Sequence, residues 1–237
     1  MRTLPLIAAL LALVAPADAG MRATYSQPDG KQLVIDVADN GAARIGEAGQ
    51  SEYGLLLADG FYIVSNENGA WRTARIADIA AAIDQVLPPI FKDIFTAAST
   101  AKPPAGFRIE PKGAETIAGR PGKVYAVYGM NDATPKQPET FVMSDDPALK
   151  PIGRAMEQFM NGAMVPAAAL IGPAAADIVA ETRAIFALGT PLNAGGRFKL
   201  ASVETVDVPA SAVALPAKPQ TTAELVAMMQ ASMKMPQ

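Results

Sequence analysis

The sequence predicts an α+β protein, with antiparallel strands in two groups and amphipathic helices between and after them. Three observations carry this. Asx-Gly pairs at Asp29-Gly30, Asn40-Gly41, Asp59-Gly60 and Asn68-Gly69 punctuate short runs rich in Val, Ile, Leu and aromatics, and such pairs accept the positive φ values of tight hairpins. Apolar residues then recur at helical spacing from Ile76 to Phe95 and from Leu149 to Met160, the pattern of helices with one buried side. A second strand group lies between those stretches, so strands and helices come in blocks rather than in strict alternation.

The first group reads as a six-stranded meander near residues 22–26, 32–37, 42–47, 53–57, 61–65 and 70–75. Leu33, Ile35 and Val37 share one face of their strand, whereas residues 55–57 and 61–64 are apolar on both faces and must be covered. The stripe Ile76, Ile79, Ala80, Ile83, Leu87, Ile90, Phe91, Ile94 and Phe95 is the expected cover, broken near Leu87 by Pro88-Pro89. Ile79, Ile83, Leu87, Phe91 and Phe95 are expected to bury against the sheet.

Strands then follow near residues 107–110, 114–118, 123–128 and 140–144, with Gly119-Arg120-Pro121-Gly122 as a turn. Asp145-Asp146-Pro147 reads as a helix start with an Asp cap and Pro in the first turn. Leu149, Ile152, Met156, Phe159 and Met160 form the apolar side of that helix, and a second helix covers residues 173–188 after Gly162 and Pro166. A strand over residues 197–208 leads into a connector containing Pro209, Pro216 and Pro219. A last helix opens at Thr221, where Thr221 and Glu224 make a capping box, and it is rich in Met.

Ahead of the first strand, Arg2 precedes an apolar run over residues 4–14 that is broken only by Pro5. Ala17-Asp18-Ala19 then supplies the small-x-small pattern cut by signal peptidase. The run is too short to span a bilayer, so residues 1–19 are expected to be a cleaved secretory signal. The mature chain then starts at Gly20, is periplasmic or secreted, and keeps no integral membrane segment.

Composition narrows the chemistry. The chain has no His and no Cys, which removes the commonest general base, the commonest metal ligand and all thiol mechanisms. Its net charge is −3, leaving no basic excess for nucleic acid. No cofactor is expected.

Taken in order, the meander, the central helices, the second strand group and the Pro-containing tail resemble the lipoprotein-carrier-like (LolA/LolB-like) fold. The similarity is closer to a bacterial exported family of unknown function with that fold. The motifs are Tyr53-Gly54-Leu55-Leu56-Leu57 before Asp59-Gly60, residues 115–125 (ETIAGRPGKVY), and the strand from Phe198 to Pro209 leading to Ala214-Leu215-Pro216. The resemblance implies an antiparallel open half-barrel over residues 20–209, with helices packed on its concave face, followed by the connector and Met-rich helix of residues 210–237. The leading expectation for such a half-barrel is a non-enzymatic periplasmic protein whose concave face contacts a lipid-like or other apolar ligand. Tyr62, Trp71, Phe91, Phe95, Met156, Phe159 and Met160 are the candidate lining. The alternatives are a binding or scaffold module for another envelope protein and, third, a hydrolase.

Other motifs carry weaker chemistry. Ser99-Thr100-Ala101-Lys102 has the Ser-x-x-Lys spacing of penicillin-binding enzymes, with Ser144-Asp145-Asp146 near their second motif. Pro103-Pro104 opposes the helix that spacing needs, and no Lys-Thr-Gly element follows. Asp145-Asp146 suits either a hard cation or a helix cap. Gly119 to Lys123 lacks the spacing of a phosphate loop. Glu110 and Glu115 are candidate acids for glycoside hydrolysis only if they meet in space. Met156, Met160 and Met164 recur every four residues, and Met228, Met229, Met233 and Met235 enrich the last helix. These methionines suit a variable apolar ligand, a soft copper(I) site or ordinary core filling. Trp71, the only tryptophan, either marks a binding face or packs beneath the helix that follows it.

Overall fold

The structure, a computed structural model, describes residues 19–88, 107–130, 136–171 and 174–234. Eleven strands form one antiparallel open sheet, in the order β6-β5-β4-β3-β2-β1-β11-β10-β9-β8-β7. β1 (Ala19–Ser26), β2 (Gln32–Val37), β3 (Ala43–Glu47), β4 (Tyr53–Leu57), β5 (Gly60–Glu67) and β6 (Ala70–Arg75) are the first meander. β7 (Arg108–Ile117), β8 (Arg120–Tyr128), β9 (Glu139–Ser144), β10 (Thr190–Ala194) and β11 (Phe198–Asp207) are the second. The two join only where β11 pairs with β1, from Ala19 opposite Asp207 to Ser26 opposite Lys199. This α+β architecture fits a half-barrel.

All four Asx-Gly pairs lie at hairpin turns. At Asn68-Gly69 both residues have positive φ, 53° and 83°, as a two-residue type I′ turn requires. The β7–β8 turn is tighter than the sequence suggests. Ala118 and Gly119 are its central residues, with φ of 48° and 73°, and Arg120, Pro121 and Gly122 already belong to β8. The strands expected near residues 107–110 and 114–118 are one strand, β7, interrupted by a register shift between Pro111 and Gly113.

β10 has no counterpart among the expected strands. Pro191 argues against a central strand, yet it sits where the β10–β9 register shifts between Pro191 and Asn193. A bulge is one of the few places where a missing ladder N–H is tolerated in mid-sheet.

Among the described residues the α-helices are α1 (Ile76–Val86), α2 (Lys150–Ile171), α3 (Ala174–Phe186) and α4 (Thr222–Lys234). α1 ends as expected, with Leu87 extended (ψ 121°) ahead of Pro88, because a residue before proline is pushed out of the helical region. Its deeply buried residues are Ile76 and Ala82, whereas Ile79, Ile83 and Leu87 are half-buried. Ile79 packs with Ala74, Ala82 and Leu225, so the expected stripe is shared between the sheet and α4. Phe91 and Phe95 lie outside the described residues.

α2 is the long element of the interior. It continues through Pro166 to Ile171 instead of ending near Gly162, and it packs along α3. Its 22 residues span ~33 Å at 1.5 Å per residue, and it touches β5, β4, β3, β2 and β10. From β5 to β10 is six strand spacings, ~29 Å, so α2 runs across the strands and bridges both meanders. Two glycines permit the close approach. A Cβ on Gly153 would sit 2.5 Å from Thr190 Oγ1, and one on Gly162 would sit 2.9 Å from the Phe61 ring. The core beneath joins Ala23, Tyr25, Ile35 and Ile45 to Ile152, Ala155 and Met156 of α2 and to Val142 and Leu192.

The segment after β11 is a strap. Its 3-10 turn at Ala210–Val213 packs on β3 and β4, and Leu215 covers Tyr53, Leu55, Tyr62 and Val64. Gln220 then pairs with Ala74 at the β6 edge, its N–H donating to Thr73 O at 2.9 Å. This covers an edge that would otherwise offer free ladder groups. α4 docks on α1 through Leu225, which is 2% exposed. The capping box is present: Thr221 N–H donates to Glu224 Oε2 at 2.7 Å and Glu224 N–H to Thr221 Oγ1 at 3.3 Å.

Two outcomes follow. Gly153→Ala is expected to destabilise the protein by ~1–3 kcal/mol through overpacking against Thr190, read as a lower urea midpoint with an unchanged slope. The second concerns Asp78, which accepts from Arg75 at 2.9 Å and from Thr222 of α4 at 3.0 Å. The Arg75 hydrogen bond holds its carboxyl below the ordinary value of 3.8. The stabilisation is therefore complete above that value and is lost as pH falls through the depressed folded-state pKa. Asp78→Asn should lower hydrogen-exchange protection in α4 at neutral pH, and unchanged protection would show that the strap docks without this group.

Candidate functional site

The candidate lining residues do not converge. Leu56 pairs with Phe61 and Leu55 with Tyr62, so Phe61 and Tyr62 point to opposite faces. Phe61 meets Phe159 of α2 edge-on, with centroids 5.6 Å apart, which places Phe61 on the helix face. Tyr62 lies beneath the strap, and its hydroxyl donates to Asp59 at 2.7 Å. That hydrogen bond to a carboxylate, together with desolvation, raises the Tyr62 pKa. Trp71 pairs opposite Asn66 on the Tyr62 side. It is 41% exposed and makes an edge contact with Tyr53, centroids 6.2 Å apart, so it does not pack beneath α1.

Met156 is buried, 4% exposed, with Ile152 and Ala155, and Phe159 is half-buried. Met160 instead is 41% exposed. The sheet-facing stripe of α2 runs through Ile152, Ala155, Met156, Phe159 and Gly162, alternating steps of three and four. A strict four-residue row drifts ~40° per step, and Met160 is thereby carried off the stripe.

Of the motifs with catalytic spacing, those within the described residues are held in structural contacts. Ser99 to Lys102 lies outside the described residues. Ser144, 1% exposed, donates to Pro121 O at 2.9 Å and accepts from Asp146 N–H at 3.3 Å. Asp146 caps the 3-10 turn at Pro147–Leu149 by accepting from Ala148 N–H at 2.9 Å. Asp145 pairs with Lys123 at 3.0 Å, which holds its pKa down. Glu110 is held at the surface by Arg108 and Lys112. Among the described residues no group of three acids is placed to hold a metal.

A concavity among the described residues was not marked by any motif. It is an open cleft of about 790 Å³ between α2, the start of α1, and the strand ends at the β2–β3 and β4–β5 turns. Leu56, Phe61, Ile76, Val165 and Val213 give it apolar walls, and Arg154, Gln158 and Asn161 of α2 give it a polar side. Gly162 also lines it; a larger residue there would press on Phe61. Asn161 Oδ1 is buried without a hydrogen-bond partner, a condition that costs ~1–3 kcal/mol. The advance signal was the polar 154, 158, 161 row at three- and four-residue spacing on the amphipathic helix α2. A second, shallower hollow between β6 and the strap is lined by Tyr62, Arg75, Asp78 and Thr222, whose polar groups are already paired.

No family model and no curated protein matches the chain. A solved structure of lipoprotein LppX from Mycobacterium tuberculosis is similar over 55% of this chain and 73% of that one, at 14% identity and a TM-score of 0.28. No helix among the described residues is long and apolar enough to cross a membrane.

The two methionines separate core from surface. Met156→Ala is expected to cost ~2–5 kcal/mol, and Met160→Ala to stay within ~0.5 kcal/mol, both from urea denaturation. Equal losses would contradict this placement of α2.

Proposed function

We propose that this is a non-enzymatic exported protein that binds a lipid-like or other apolar ligand, with the ligand's apolar part in the cleft between α2 and the strand ends. The observation that carries the reading is the cleft itself. Its volume of about 790 Å³ falls in the ~300–1,000 Å³ range of small-molecule sites, and its apolar walls with a few convergent polar groups are the usual lining. Affinity then comes from apolar area removed from water, ~25 cal/mol per Å², with little demand for a specific polar contact along the chain of the ligand.

The half-barrel and the helices on its concave face suit this role. One wall is α2 and another is Val213 of the strap, so a small displacement of the strap widens the entrance without breaking the sheet. Export rests on the secretory pattern of residues 1–19. Cleavage after Ala19 would leave Gly20 as the first residue of β1, already in the centre of the sheet. The envelope-scaffold reading has one observation in its favour, the exposed Trp71 beside Tyr53 and Arg44.

The test is native mass spectrometry of protein purified from its own envelope, combined with uptake of a fluorescent fatty-acid analogue by delipidated protein. Val165→Trp should abolish uptake while leaving stability unchanged, since Val165 is 44% exposed and a larger side chain there fills the cleft rather than the core. A co-purified partner protein with no lipid, and no uptake by the parent, would instead support the scaffold reading.

A further inference from the structure

We infer that the ligand of this cleft is a single-chain amphiphile whose headgroup carries a hydroxyl followed by an anion, the chemistry of a lysophospholipid. The inference rests on the reading of the cleft as an apolar-ligand site and adds the headgroup to it. Arg154, Gln158, Asn161 and Val165 all line the cleft from α2, at the three- and four-residue spacings that keep side chains on one side of a helix. Read from Val165 toward the helix start, the wall changes from apolar to a neutral amide to a cation. That gradient matches an acyl chain, a glycerol hydroxyl and a phosphate in the same order.

The charges decide the sign of the headgroup. Arg154 has no acidic partner among the described residues. The other arginine in the lining, Arg75, is held by Asp78 at 2.9 Å. The carboxylate in the lining, Asp59, keeps its charge and accepts from the Tyr62 hydroxyl at 2.7 Å. Arg154 is therefore the cation of the lining that no carboxylate pairs with, and a guanidinium offers the planar fork that binds phosphate oxygens in pairs.

Asn161 supplies the hydroxyl argument. Its Oδ1 is buried without a partner, so a ligand hydroxyl reaches that oxygen only on rotation of the side chain toward the cleft, and a hydroxyl, which both donates and accepts, satisfies the amide in either orientation. Asn161 and Arg154 are two helical turns apart, ~10 Å along the axis. The long Arg side chain can close much of that distance, placing hydroxyl and anion a few bonds from one another in the ligand.

The experiment compares three probes of equal chain length on the delipidated full chain, each below its critical micelle concentration: a lysophosphatidylglycerol, a monoacylglycerol that lacks the anion, and a fatty acid that lacks the hydroxyl. The lysophosphatidylglycerol should bind at least about tenfold more tightly than the monoacylglycerol and more tightly than the fatty acid. Arg154→Gln, a change at an exposed position, should remove the advantage over the monoacylglycerol and leave monoacylglycerol affinity unchanged. Equal affinities for all three probes, untouched by Arg154→Gln but abolished by Val165→Trp, would overturn the headgroup assignment and leave the cleft as a ligand site. Binding of none of the three would overturn both.

Discussion

The whole architecture depends on one pairing, β1 with β11. Every other neighbour in the sheet is joined by a hairpin or a helical excursion between consecutive strands, but this ladder brings together residues such as Ser26 and Lys199. Tyr25 reinforces it: its side chain is 1% exposed, and its hydroxyl donates to Pro191 O at 2.9 Å across 166 residues of sequence. Burial pushes the Tyr25 pKa well above the ordinary phenol value, so the neutral donor persists at all physiological pH. Loop-closure entropy grows only logarithmically with length, ~0.6 kcal/mol per doubling. The long separation therefore slows folding more than it weakens the fold.

Once that ladder has formed, α2 has a continuous surface to cross, and the cleft follows from how it crosses. Gly153 lets the helix sit close to β10 and Gly162 lets it sit close to Phe61, so its position is set at two points on different meanders. Among the described residues the cleft lies along the side of α2 between those contacts and the strand ends, where the helix presents polar residues above apolar strand termini. The strap adds Val213 to that boundary before crossing the opposite face at Leu215. The last segment of the chain thus contributes to the site as well as covering the β6 edge.

Much of the fold was legible because it is written in local chemistry. Asx-Gly turns, the Asp146 cap, the Thr221–Glu224 box and the stop at Leu87 each depend on a few adjacent residues. What was not legible depends on partners distant in sequence. Pro191 hides β10 because only the bulge against β9 makes a proline acceptable there. Met160 resembles Met156 in sequence and differs from it only through the drift of a four-residue row around the helix. Trp71 and Tyr62 are aromatic strand residues whose shared face, beneath or beside the strap, is set by register with Asn66 and Leu55. The cleft had no motif because it is assembled from two turns, the start of one helix, the flank of another and one residue of the tail. Asn161 and Arg154 look like ordinary solvent-facing helix residues until the strand ends are placed beside them.

The most direct test of the account is where an acyl chain sits. In a backbone NMR titration with a fatty acid spin-labelled near its methyl end, paramagnetic broadening should concentrate at Leu56, Phe61, Ile76, Val165 and Val213 and leave Tyr53 and Trp71 sharp. Broadening centred on Tyr53 and Trp71, or spread evenly over the surface, would contradict the assignment of the cleft as the binding site.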